Sequence, residues 1–208
     1  MPMTLAGDGP LRYVVSVPAA AAARPPLLVF LHGYDEGLPT EIRAGLTRHG
    51  PLRPGSSARA AGDFVIVAPQ LPVCGDHWLR YEDSVRRIVS SVAATHGCDP
   101  NRFYLTGFSF GGNGVFDLAI VQPDLWAALW PVDPTRVPRV DPARPVWLSA
   151  GEIARHRKAP FISSLALQKL SVPAGDRVWC DEGEDHVGSA TRAYRDDRIY
   201  DWLLARQR

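Results

Sequence analysis

Three cysteines in 208 residues, Cys74, Cys98 and Cys180, are too few for a disulfide framework and lack the CxxC spacing of a metal site, so the chain suits a reducing compartment. No metal and no cofactor is expected. No apolar run is long enough to cross a bilayer, and the opening stretch MPMTLAGDGPLRYVV has no basic segment followed by an apolar one, which makes a cytoplasmic location the expectation. Neither sign of charge dominates: 23 Lys and Arg stand against 22 Asp and Glu, spread along the chain. That balance leaves no electrostatic footprint for nucleic acid or an acidic membrane surface, and a small molecule is the expected partner. Internal repeats and long linkers are missing too, and the Ala-rich PAAAAARPP at 18–26 is short enough to be a loop. With 46% hydrophobic residues the chain can bury one core, which gives a single domain over residues 1–208. Oligomeric state leaves no trace in the sequence.

What is present is an alternation. Short apolar runs rich in branched residues recur at 13–17, 27–32, 64–69, 102–107, 127–132, 145–151 and 177–183, several of them apolar on both faces. Between them lie helical patterns. In YEDSVRRIVSSVAATHG, Val85, Ile88, Val89 and Val92 share one face and Gly97 is placed to end the helix. Further helices are expected after Ser109 up to Pro123, over APFISSLALQKL, and over the C-terminal YRDDRIYDWLLARQR, while 35–62 reads as the longest irregular stretch and a cover for the pocket. Strands alternating with helices in this way predict an α/β fold, a three-layer α/β/α sandwich with a mostly parallel sheet. The connection between 132 and 145 is too short for a large lid. In such sheets the chemistry sits at the carboxyl ends of the strands.

LTGFSFGG at 105–112 places Ser109 between glycines, after an expected strand and before an expected helix, the context of a G-x-S-x-G nucleophile elbow. A serine in a strained turn needs neighbours without a Cβ. Its hydroxyl also needs a base, and His186, after the last expected strand, is the best placed of six histidines. Attack on a carbonyl creates an oxyanion, for which the amides of Phe110 and of Tyr34, in the turn after LLVFLHG, are candidate donors. His32 in that turn reads more readily as a residue that orders its own loop than as a proton carrier.

The set LHGYDEG, APQLPVCGDHW, DPNRFYLTGFSFGGNGVFDLAIVQPDLWAALWPV, PVWLSAGE and GEDHVGSATRAYRDDRIYDWLL resembles the α/β-hydrolase superfamily, in particular small bacterial esterases similar to feruloyl esterases, polyhydroxybutyrate depolymerases and the carboxylesterase/phospholipase group. The resemblance runs from about residue 11 to the end. It implies hydrolysis of an ester through an acyl-enzyme, with Ser109 as nucleophile, His186 as base, and Tyr34 and Phe110 as the oxyanion hole. It also implies a place for Trp78 and His32 beside the substrate, with a packing role for Trp78 standing next to that reading.

The family's acid usually follows the strand PVWLSAG as an Asp in a Gly-x-x-Asp pattern; here GEIA puts Ala154 at that position. Asp133, just after the preceding strand, and Glu152 are the two replacements, with Asp133 ahead; an Asx turn before Pro134 is its plain reading. Asp185 is expected to point away from His186, and Asp181 and Glu182 to lie on the surface. Two functions therefore stand side by side, a serine esterase acting on a small-molecule ester or thioester and a hydrolase-like protein that binds without turnover. The cations of ARHRKA at 154–159 read as a solvated loop or, through Arg155 and Arg157, as a reader of an anionic substrate group.

Overall fold

The computed structural model describes residues 2–20 and 22–208. Among them nine strands form one sheet: β1 (Thr4–Asp8), β2 (Leu11–Ser16), β3 (Leu27–Leu31), β4 (Val65–Gln70), β5 (Phe103–Phe108), β6 (Ala128–Val132), β7 (Val146–Ala150), β8 (Gln168–Lys169) and β9 (Arg177–Asp181). Their order is β1-β2-β4-β3-β5-β6-β7-β9-β8. β1 pairs with β2, and β2 with β4, antiparallel; every other pairing is parallel. The helices are α1 (Ile42–Leu46), α2 (Ala58–Asp63), α3 (Glu82–His96), α4 (Phe110–Val121), α5 (Glu152–His156), α6 (Lys158–Leu165), α7 (His186–Ala193) and α8 (Asp197–Leu204), with 3-10 turns at Tyr34–Glu36 and Trp78–Tyr81. None is long and apolar enough to cross a membrane.

The central strands are apolar on both faces because helices cover both. Along β3, Leu27, Val29 and Leu31 enter one core with Val85, Ile88 and Val89 of α3, Val115 and Phe116 of α4, and Phe161 of α6. Leu28 and Phe30 enter the other, with Ile42 of α1, Ala60 of α2, Ala190 of α7 and Ile199 and Trp202 of α8. In the second core Trp130 packs against Tyr194 and Tyr200, with ring centroids 4.6 and 5.3 Å away. The buried Thr106 hydroxyl bridges the Trp130 carbonyl, at 2.7 Å, and the Tyr194 hydroxyl, at 2.9 Å, so the polar tip of Tyr194 is satisfied inside this layer. α3 ends where expected, at Gly97 in the left-handed region with φ +62°.

The chain leaves β3 to one side for β4 and returns to the other side for β5, so the winding direction reverses between β3 and β5. The loops leaving those two neighbours diverge, opening a crevice at their carboxyl ends. The turn after β3 and Ser109 after β5 both sit there.

Four segments depart from expectation. β1 is held by its ladder to β2 with Leu5 exposed and Ala6 only partly buried against the core, so its described side chains give too weak a periodic signal. The stretch 35–62 is not a loose cover: it contains α1 and α2 and buries Ile42, Leu46, Leu52 and Ala60 against the sheet. APFISSLALQKL stops being helical at Leu165, because Ala166 turns into the left-handed region (φ +48°) and Gln168–Lys169 join the sheet edge. An additional helix, α7, begins at His186 itself.

At Gly50 the backbone has φ +83°, and an added Cβ would lie 2.3 Å from Cζ of Phe30, a fully packed ring. Gly50→Ala is expected to lower stability by about 2–4 kcal/mol. Gly62→Ala, where nothing stands within 4 Å of the new Cβ, is expected to hold or raise stability by up to about 1 kcal/mol. Urea denaturation of both variants checks the contrast.

Candidate active site

Ser109 occupies the junction between β5 and α4 with φ +57° and ψ −115°, a strained conformation for a residue with a Cβ. Two flanking glycines make it possible. A Cβ on Gly107 would meet the Gly111 carbonyl oxygen at 2.4 Å, and one on Gly111 would meet the Leu31 oxygen at 1.9 Å. The Ser109 amide donates to the Val132 carbonyl at 3.0 Å, which ties the turn to the end of β6.

The Ser109 hydroxyl lies 2.9 Å from Nε2 of His186, and His186 Nδ1 lies 2.6 Å from Oδ2 of Asp133. An ionised carboxylate only accepts, so Nδ1 carries the proton and Nε2 is free to accept from Ser109. His186 is the first residue of α7, and the preceding Asp185 caps that helix by accepting from the Gly188 amide at 2.6 Å, so its carboxylate serves the helix rather than the imidazole. The Phe108 ring stacks at a tilt against His186 with centroids 4.6 Å apart.

Asp133 is fully buried, with φ +40°. Its amide donates to the Ser149 carbonyl at 2.8 Å, continuing the pairing of β6 with β7. Its carboxylate accepts from the amides of Ala154 at 2.7 Å and Ile153 at 3.3 Å, in the first turn of α5. Thus Ala154, where an acid was sought, supplies a main-chain donor to the acid that sits one strand away. Gly151 leaves the room: a Cβ there would meet Asp133 Oδ2 at 2.7 Å and Ser189 Oγ at 2.1 Å.

Phe110 is the first residue of α4, so its amide has no carbonyl partner within the helix. Tyr34 opens the 3-10 turn after β3, and its ring meets that of Phe110 edge to face, centroids 5.0 Å apart, which brings the two residues together beside Ser109. His32 and Trp78 call for a correction, since both are buried in the scaffold of this loop and neither faces the crevice. His32 Nδ1 donates to the Gly33 carbonyl at 2.7 Å, its Nε2 accepts from the Leu71 amide at 2.9 Å, and the Trp78 indole donates to the His32 carbonyl at 3.2 Å. Burial lowers the His32 pKa to about 4, so its ring stays neutral and keeps both bonds.

A second pair of titratable groups lies under the same loop. The buried Glu36 carboxylate has Oε1 3.5 Å from Nε2 of His49 and Oε2 3.9 Å from Nδ1 of His32. Burial raises the Glu36 pKa and lowers that of His49 to about 4. The His49 ring packs on the opposite neighbour of His186, Phe108, at 4.9 Å. Neither residue carries a motif of its own.

Glu152 is the other correction. It is exposed at the first position of α5, where its side chain turns to solvent, and the nitrogen it would have served is occupied by Asp133. Arg155 is paired with Asp181 at 2.9 Å, and Arg157 donates to the Thr135 carbonyl, so both guanidiniums are engaged within the fold. Asp181 is exposed as expected, whereas Glu182 is buried.

Chains of known structure share this architecture. A thermostable esterase superposes with a TM-score of 0.73 at 20% identity, covering 100% of this chain and 63% of that one. Est1E from Butyrivibrio proteoclasticus gives 0.65 at 13% identity over 97% of both chains, and an S-formylglutathione hydrolase from Agrobacterium tumefaciens gives 0.66 at 14% over 98% and 94%. In sequence, the poly(3-hydroxyalkanoate) depolymerase C of Paucimonas lemoignei is 28% identical over 138 residues, 60% of this chain. The chain spans 31% of the length of that curated relative. No family model matches the chain.

Buried Glu182 has one carboxylate oxygen without a hydrogen-bond partner, and burial raises its pKa to about 7, with the nearby Ser149 hydroxyl pulling the other way. Between its ordinary value of 4.5 and 7 the folded chain keeps a proton that the unfolded chain has lost, so this group withdraws stability as pH rises. Glu182→Gln should therefore match the wild type near pH 4 and gain on it through pH 7, by at most about 3 kcal/mol. Thermal melts across that pH range read the difference.

Proposed function

From the premise that this chain has the α/β-hydrolase fold, we propose that it is a serine hydrolase that cleaves carboxylic esters or thioesters of small molecules through an acyl-enzyme. The observation that carries this reading is the continuous relay from Ser109 Oγ through His186 to Asp133, with links of 2.9 and 2.6 Å. Esterase and serine hydrolase neighbours with the same architecture support it.

In the proposed reaction, His186 Nε2 takes the proton as Ser109 Oγ attacks the ester carbonyl, and the carbonyl oxygen becomes an oxyanion. The amides of Phe110 and Tyr34 stabilise that charge, Phe110 with the N-terminal end of the twelve-residue α4 behind it. Asp133 holds the imidazole in the tautomer that accepts at Nε2 and stabilises the imidazolium once formed. His186 then returns the proton to the departing alcohol or thiol, and water repeats the sequence on the acyl-enzyme. The amides of Ala154 and Ile153 keep the Asp133 carboxylate from swinging off Nδ1.

The reading as a binding protein without turnover rested on Ala154 and on the basic segment ARHRKA at 154–159. A carboxylate 2.6 Å from His186 and the engagement of Arg155 and Arg157 within the fold favour turnover over that reading.

Ser109→Ala is expected to abolish hydrolysis of p-nitrophenyl butyrate and labelling by a fluorophosphonate probe. Asp133→Asn should reduce kcat by roughly 10³–10⁴-fold, whereas Glu152→Gln should leave it within about twofold of the wild type. Hydrolysis that survives in Ser109→Ala would overturn the assignment.

A further inference from the structure

One feature outside the relay has the size and chemistry of a ligand site. A groove of about 750 Å³ runs down the flank of α4 from the carboxyl edge of the sheet. It is walled by the 3-10 turn at Trp78–Tyr81 on one side and by the loop after β6 on the other. Its upper end is His77, whose ring stacks on that of Phe110 with centroids 6.3 Å apart, one residue from Ser109. Three of the chain's exposed large hydrophobic side chains, Leu79, Val121 and Val140, gather in it beside Ile120.

The walls are fixed rather than loose. Asn113, on the first turns of α4, donates to the Thr135 hydroxyl at 2.7 Å and accepts from the amides of Thr135 and Arg136 at 3.0 Å, which pins the outer loop to the helix. Three guanidiniums line the groove. Arg80 is paired with Asp76 at 2.9 Å and Arg136 with Asp117 at 2.6 Å. Arg139 is exposed and has no carboxylate partner among the described residues, since the neighbouring Asp141 is taken by Arg177 at 2.6 Å. An apolar groove with one uncompensated guanidinium fits an apolar chain that carries one anionic group.

Position selects which part of a substrate enters it. His186 must hand its proton to the leaving group and comes from α7, whose residues pack into the core with α1, α2 and α8. The groove lies against α4 and the Trp78 turn, which belong to the opposite layer. The groove and the imidazole that must protonate the leaving group thus lie toward opposite layers of the sheet, which leaves the groove open to the acyl arm.

We propose that this groove binds the acyl arm of the substrate and that Arg139 recognises a carboxylate at its far end, so that monoesters of long-chain dicarboxylic acids are the preferred substrate class. The lining residue Asp117 stands eight residues along α4 from Ser109, about 12 Å at the helical rise, so the arm must be about ten carbons long to reach. The inference rests on the hydrolase reading above, and the two fail differently. Wild-type protein would be assayed with p-nitrophenyl decanoate and with mono-p-nitrophenyl sebacate, alongside Arg139→Gln and Arg139→Lys. Expected is a kcat/KM for the sebacate at least about 10-fold above that for the decanoate, which Arg139→Gln removes by raising KM for the sebacate alone and Arg139→Lys partly keeps. The preference should also shrink between 0.05 and 0.5 M salt, in about the way an exposed charge pair is screened. Equal or faster hydrolysis of the decanoate, or a preference that survives Arg139→Gln, overturns the inference and leaves the hydrolase reading standing. Hydrolysis of neither ester overturns both.

Discussion

A carboxylate taken completely out of water is the constraint on which this site depends. Isolated burial of such a charge is prohibitive, and it persists only where hydrogen-bond donors replace the lost hydration. Asp133 finds three: the imidazole N–H of His186 and the amides of Ile153 and Ala154. Its own amide is tied to Ser149 on β7, so the acid is fixed through its main chain and its side chain together. Because one of those donors is the imidazole itself, the packing of the acid and the orientation of His186 are a single fact. The bend of the chain at φ +40° is the local cost of that arrangement.

The crevice follows from topology in the same spare way. The reversal of winding between β3 and β5 places the end of one strand, with its His-Gly turn, next to the end of the other, with its serine. Around them aromatic rings do the spacing: Tyr34 on Phe110, and Phe108 between His49 and His186. His32 contributes by staying neutral and unexposed, joining the β3 turn to the end of β4 through its two ring nitrogens.

Much of the architecture was legible because central strands of a parallel sheet are apolar throughout and the helices between them repeat at 3.6 residues; α3 was readable to its closing glycine. Edge elements were not. β1 is made by its neighbour's hydrogen bonds, and β8 is two exposed residues long. Within the site, Ser109 announced itself because strain restricts which residues surround it, and His186 through its place after the last strand. Asp133 could be set only narrowly ahead of Glu152, since what distinguishes them is the direction of a side chain at the end of a strand. Glu36 and His49 meet only through the fold, 13 positions apart across the end of α1, with no periodicity to join them. The burial of Glu182 was equally hidden, because a strand's last residues look the same whether a helix covers them or not.

The amides that hold Asp133 belong to a segment whose side chains take no part in doing so. Main-chain donors are the same for every residue but proline, so the instructions for this anchor are nearly invisible in the amino-acid alphabet. Relatives can rewrite positions 153 and 154 within the limits of available space and keep the relay intact, while Gly151, whose missing Cβ leaves room for the carboxylate, has no such freedom. In the proposed hydrolase, an acid carried just after β6 releases the turn after β7 from chemical duty and makes it a place where surface and substrate preferences can diverge without disturbing the relay.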